Sequence, residues 1–348
     1  MNGFLDRSFD LMEGGDLGPA EKVAFELVRR GRDELQRAQS KARLDLDNLE
    51  EVFDAFEMAA LIGRLGDWDA NEVGGLPEAM RVLITVSLEH LIRLPAAGNE
   101  RRPAPAYDDF ARLVRGIHRR RGSWPAVITF NYDVCADYAF HYHGVPVNYH
   151  LAEASREAGL GLYKLHGSLN WAFCENCQTV IPRVMQDHFA RKFLFPDEEE
   201  KTWRLFVAQE TRQQMKCPNC SSSPGTLMMV PPTWAKGRYQ PLLRGVWAAA
   251  ARELSAAQNI IVCGYSLPNT DAFFHYLYAV GSIGTASLRR FVVMDPEGEV
   301  GERFLAFLGP QAQSRFEFHG PGHPSGGLFQ SLLRHVGQDL LRTEGAAR

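Results

Sequence analysis

Residues Ala126 to Asp133, AVITFNYD, decide how the rest of this chain is to be read. Five strand-forming residues, Ala126 to Phe130, follow Pro125 and stop abruptly at Asn131, Tyr132 and Asp133. A short apolar run rich in β-branched residues predicts a fully buried strand of a parallel sheet. In open α/β sheets ligands bind beyond the carboxyl ends of strands, so the polar residues that close this run stand where chemistry is done.

Working outward, the same pattern of an apolar run with a polar ending recurs three times. GLYKLH at 161 to 166 ends in His166, the strand Asn259 to Cys263 leads into GYSLPNTD, and Phe291 to Met294 ends at Asp295. Helices are expected between these strands, over Val134 to His143, Tyr239 to Ala257 and Asp271 to Val280. VPVNYH at 145 to 150 reads as an edge strand, LMMVPP at 227 to 232 as a strand closed by its prolines, and Arg315 to Phe318 as a late strand before a helix over 326 to 342. Strand followed by helix is the rhythm of an α/β fold, here a Rossmann-like parallel sheet flanked by helices.

Taken singly, each polar ending has a structural explanation, because Asn and Asp cap helices and a GYS sequence turns a chain. Taken together, Asn131, Asp133, His166, Gly264, Ser266 and Asp295 would converge on one crevice.

Upstream the pattern changes to helical. Residues 1 to 18 read as a loop or frayed terminus, followed by helices from Pro19 to about Arg43, from Asp47 with a capping box to Glu50, from Pro77 to Leu94 and from Tyr107 to Arg121. The basic run His118 to Arg121 complements the dipole of the helix it ends.

Two CxxC pairs, Cys174 with Cys177 and Cys217 with Cys220, have the spacing of two knuckles that close a tetrahedral site around one structural zinc ion. Cys135 and Cys263 sit in or beside apolar elements and read as small hydrophobes. The expected organisation is therefore a helical region over 1–122, a Rossmann-like core over 123–173 and 224–320, a zinc insert over 174–223 and a terminal helix over 321–348. The acidic, aromatic stretch between the CxxC pairs is the segment that a peptide, a partner protein or a second copy would meet.

Composition narrows the function. The chain has 348 residues, 45% of them hydrophobic, and a formal net charge of -4. That charge argues against nucleic acid as the main partner, since counterion release requires a basic surface. No apolar run approaches a membrane span and the first residues lack a signal-peptide core, so a cytoplasmic protein is expected.

TFNYD at 129 to 133, KLHGSLNW at 164 to 171, the CxxC pairs, CGYSLPNTD at 263 to 271 and VVMDP at 292 to 296 resemble, in that order, the sirtuin-like NAD-consuming proteins. The resemblance covers about residues 45 to 300, including NLEEVF at 48 to 53, and is nearest to the bacterial defence-associated branch, many of whose members hydrolyse NAD during antiphage defence.

It implies NAD as substrate, with Asn131 holding the nicotinamide ribose and orienting a water and His166 acting as general base. Thr129, Asp133, Gly264, Tyr265, Ser266 and Asp295 would contact the dinucleotide, and the four cysteines would hold zinc. An NAD glycohydrolase is the first expectation. A protein deacylase using the same residues, and a zinc-stabilised interaction module without turnover, are its rivals.

The family opens with a strand and a GAGxS loop that cradles pyrophosphate. Here Gly14, Gly15 and Gly18 follow FDLMEG, which lacks the length and β-branching of a buried first strand. An upstream segment supplying that loop is the favoured explanation, and a member that has lost NAD binding is the competing one. Without that strand, its neighbours in the sheet are expected to carry unpaired edges.

Overall fold

A computed structural model describes residues 3–15, 17–38, 42–97, 100–151, 158–183, 185, 194–197, 201–233, 240–268, 272–283, 287–321 and 337. In chain order these form α1 (Phe4–Glu13), α2 (Pro19–Ala38), α3 (Leu49–Ile62), α4 (Ala70–Gly74), α5 (Leu76–Leu91), β1 (Arg93–Ala97), β2 (Glu100–Arg101), α6 (Pro105–Arg121), β3 (Val127–Thr129), α7 (Cys135–Tyr142), β4 (Val147–Asn148) and β5 (Leu160–Lys164). There follow β6 (Gly167–Cys174), β7 (Thr179–Pro182), β8 (Leu194–Asp197), β9 (Thr202–Leu205), α8 (Val207–Gln214), β10 (Thr226–Met229), α9 (Arg244–Ala256), β11 (Asn259–Cys263), α10 (Ala272–Gly281), β12 (Arg290–Met294), α11 (Gly298–Phe307) and β13 (Phe316–His319). The helix expected over 326 to 342 lies outside the described residues, apart from residue 337.

The chain divides into two compact units, Met1–Arg93 with His166–Pro241 and Leu94–Leu165 with Leu242–Arg348. In the first, helices α1 to α5 form a bundle. Gly31 on α2 permits their close packing, since a Cβ there would lie 2.7 Å from Leu76 Cδ2 and 2.9 Å from Phe56 Cζ.

Residues 4 to 13, expected as loop, are helical because tertiary contact supports them: Leu5 and Ser8 are buried, and Ser87 Oγ of α5 donates to Ser8 Oγ at 2.8 Å. The capping box expected on Asp47 does not form. Arg32 draws the Asp47 carboxylate away at 2.7 Å, and the next residue, Asn48, caps α3 by accepting the Glu50 N–H.

The first unit also holds an antiparallel sheet in the order β10-β6-β7. LMMVPP thus supplies a strand, as its prolines suggested, and its register on β6 pairs Leu227 with Ala172 and Thr226 with Phe173.

The second unit contains the parallel part of the fold, two three-stranded sheets in the orders β3-β5-β4 and β11-β12-β13. Central strand β5 is buried at all five residues, and β12 at four of its five, as a strand covered on both faces must be. The strand read from AVITFNYD departs from expectation. It is three residues long and half-buried throughout, and among the described residues β3 is bonded only to β5 and so forms an edge. Among the described residues β11 is likewise bonded only to β12, and it is half-buried along its whole length.

Candidate functional site

The turn after β3 is built by its own residues. Thr129 Oγ1 accepts the Asn131 N–H at 3.1 Å, folding the chain as it leaves the strand, and Asp133 Oδ1 accepts the Cys135 N–H at 2.8 Å, opening α7. Asn131 is left exposed at the apex. Its side chain is hydrogen-bonded to Tyr107 of α6, whose phenol is pushed well above its ordinary range, first by burial and then by the nearby Asp133. Burial, with Asp133 next, also pushes the Cys135 thiol up, so this cysteine stays protonated, in keeping with a small hydrophobe.

Beneath the turn lies a charged network that sequence reading missed. Lys164, the last residue of β5, is 1% exposed. Its Nζ donates to the Asp133 carbonyl at 2.6 Å and to Asp137 Oδ2 at 2.9 Å, while Tyr149 donates to Asp137 Oδ1 at 2.6 Å. A buried pair is tolerated when its remaining lone pairs and protons find partners, as they do here. Lys164 therefore ties the AVITFNYD turn to α7 and to the end of the central strand. The signal was present as a lysine inside an otherwise apolar strand, LGLYK.

The second strand ending meets the first. Phe130, just past β3, stacks on Tyr265, just past β11, with ring centroids 4.5 Å apart and planes 12° from parallel. Phe274 packs edge-on to both. Gly264 takes a left-handed φ of 61° and its N–H donates to the Met294 carbonyl at 3.0 Å, which brings the GYS turn against the residue before Asp295. Among the described residues, a Cβ on Gly264 would meet nothing within 4 Å.

Asp295 is 6% exposed, and its Oδ1 accepts the Glu297 N–H at 3.0 Å. Its Oδ2 has no hydrogen-bond partner among the described residues. Burial of Cys263 pushes its thiol up to about 12, so it too remains neutral.

Of the residues singled out in the sequence, Thr129, Asn131, Asp133, Gly264, Tyr265, Ser266 and Asp295 all belong to the second unit. Direct contacts link the turns after β3, β11 and β12. His166 is different, being the first residue of the chain's return to the first unit. The peptide before it is pinned in the second unit, with Leu165 N–H donating to the Thr129 carbonyl at 3.0 Å and Trp247 Nε1 to the Leu165 carbonyl at 3.1 Å. Its own carbonyl accepts the Val230 N–H at 2.8 Å within the first unit, and the residue is 8% exposed.

The four cysteines form a cluster in the first unit, their sulfurs all within 4.8 Å of one another. Antiparallel pairing of β6 with β10 causes this, because it sets the end of one strand, carrying Cys174, against the loop carrying Cys217 and Cys220. Cys174 and Cys220 are 3.6 Å apart and Cys177 and Cys217 3.8 Å, matching the roughly 3.8 Å edge of a tetrahedron with Zn–S bonds of about 2.3 Å. Ser222 Oγ lies 3.4 Å from Cys174 Sγ and 3.0 Å from Cys220 Sγ, and this hydroxyl pulls both thiols down, Cys220 to about 6. The neighbouring thiols push Cys177 the other way, up to about 12. Four cysteine sulfurs at this spacing fit zinc, which binds them as thiolates, and four complete its usual coordination in a structural site. Among the described residues no helix is long and apolar enough to cross a membrane.

No family model matches this chain and no curated protein matches it. Among solved structures, it is similar to a Sir2 homologue in complex with NAD, at 18% identity over 79% of this chain and 80% of that one, with a TM-score of 0.36. A mutant Sir2 homologue with 2'-O-acetyl ADP ribose gives 19% identity, 80% coverage of both chains and a TM-score of 0.36. A structure reported for the mechanism and regulation of Sir2 enzymes gives 19% identity, 76% and 77% coverage and a TM-score of 0.37.

Proposed function

We propose that this chain is a sirtuin-like NAD glycohydrolase, cleaving NAD to nicotinamide and ADP-ribose, with Asn131 and His166 carrying the reaction. The observation that supports it most is the joining of three strand endings in one unit, with an exposed Asn131 on a braced turn and, among the described residues, nothing over the Gly264 turn and no partner for the second Asp295 oxygen. Cleavage of the glycosidic bond builds an oxocarbenium-like centre, which needs a positioned water and a base to take its proton. In this reading the Asn131 carboxamide orients the water and His166 accepts the proton. Asp295 accepts from ribose hydroxyls, and Gly264 with Ser266 approaches the dinucleotide. Asp133 and Tyr265 act through the turns they hold, by capping α7 and stacking on Phe130. The four cysteines would hold one zinc ion that keeps the β6–β10 end folded. A role in bacterial antiphage defence belongs to this proposal and rests on the motif resemblance.

The test is incubation of the purified chain with NAD, alone and with an acyl-lysine peptide, following nicotinamide by chromatography. Release without peptide supports the hydrolase. Release only with peptide makes the protein a deacylase using the same residues, and no release under either condition leaves a zinc-stabilised interaction module.

A further inference from the structure

The first unit contains a cavity of about 570 Å³, within the usual size of a small-molecule site, lined by residues of α2, α5, β9 and α8. Its walls carry Glu21, Glu89, His90 and Arg204 beside Val86 and Phe206. Glu89 is the informative group. It is 2% exposed, and its Oε1 accepts the N–H groups of Ala208 at 2.5 Å and Gln209 at 3.1 Å, supplying from α5 the cap that α8 lacks in its own sequence. Its Oε2 has no hydrogen-bond partner among the described residues. Glu89 is itself one of the lining residues, so a donor entering the cavity meets a carboxyl group with one oxygen already committed to α8.

We propose that this cavity binds a small amino-acid-like zwitterion, its ammonium donating to Glu89 Oε2 beside Glu21, its carboxylate meeting Arg204 and its apolar body lying on Phe206 and Val86. The pairing of two acids with one guanidinium selects a ligand carrying both charges, since a simple anion would face the carboxylates and a simple cation would face Arg204. This site shares no residue with the NAD reading.

Burial pushes the Glu89 carboxyl up to about 7. The α8 N–H groups of Gln209 and Ala208 and the charge of Arg212 oppose that rise, and Glu21 on α2 adds to it. His90, on the same helix as Glu89, and Arg204, on β9, complete the ionisable lining. An arriving ammonium favours the ionised carboxylate, so binding tightens as pH rises through 7 and releases protons below it.

The experiment is calorimetry of the full-length protein with the twenty common amino acids at pH 6 and pH 8, repeated in buffers of different ionisation enthalpy. The best amino acid is then compared with its deaminated and decarboxylated analogues. The expected result is binding of at least one apolar amino acid, tighter by about 10-fold at pH 8, and weakened at least 10-fold by removal of either charged group. Glu89→Gln keeps an oxygen for the α8 N–H groups, so it should fold, and should lose the ligand. Arg204→Met should lose it independently. NAD turnover of Glu89→Gln should equal wild type, so this proposal and the hydrolase reading fail separately. Absence of binding by every amino acid, or equal binding of the deaminated acid, overturns the proposal.

Discussion

Lys164 is a cation held almost out of water, and the two acceptors at its ammonium make that position tenable. Replacing it with Met would leave the Asp137 carboxylate buried with Tyr149 as its one remaining side-chain partner among the described residues. Urea denaturation should then show a loss of about 3–5 kcal/mol, and Lys164→Met with Asp137→Leu should recover most of it. Equal losses in the single and double variants would mean that the ion pair does not set the energetics of the turn.

Glu89 makes the pH prediction at the same scale. Its folded value of about 7 lies above the ordinary 4.5, so the folded state holds a proton that the unfolded state has released. Its contribution is full below about pH 4.5 and is lost as pH rises towards 7, a fall of order 3 kcal/mol. Stability curves for Glu89→Gln should lack that decline. An identical slope in the variant would assign it elsewhere.

At the scale of elements, the zinc cluster was the most legible feature, because ligand spacing is local and its chemistry leaves few alternatives. Elemental analysis of the purified protein should return about one zinc per chain, and chelation should loosen β6 and β10 at their shared end. Full retention of near-ultraviolet circular dichroism after complete metal removal would contradict a structural role.

The strands were also legible from their apolar runs, but their burial was not. The apolar run of β3 predicts full burial, yet among the described residues it is an edge, since pairing depends on the strands beside it rather than on its own residues. The cap of α3 shows the same limit. Asp47 and Asn48 are both good capping residues, and Arg32, 15 positions upstream, decides between them. Similarly, α1 is short and amphipathic, and what orders it is the burial of Leu5 and Ser8, the latter hydrogen-bonded to Ser87 of α5.

At the scale of the whole molecule, the expected crevice of Asn131, Gly264, Ser266 and Asp295 rests on strand order alone; these residues follow strands of two parallel sheets in one unit, whose endings touch through Phe130 with Tyr265 and Gly264 with Met294. The partition of the chain was not readable. The first unit is assembled from two stretches separated by 72 residues, 94 to 165, and the crossing falls within KLHGSLNW, between Leu165 and His166. No local property of that motif marks a crossing, since it depends on contacts made far away in sequence. The Lys164 network escaped for a related reason, its partners lying on α7 and in the turn after β3.

The central claim is that Asn131 and His166 together carry NAD cleavage, and nicotinamide release tests it most directly. With NAD in excess, wild type should release nicotinamide steadily. Asn131→Ala and His166→Ala, shown by circular dichroism to be folded, should each fall by at least about 100-fold. Release by either variant at the wild-type rate would contradict the account.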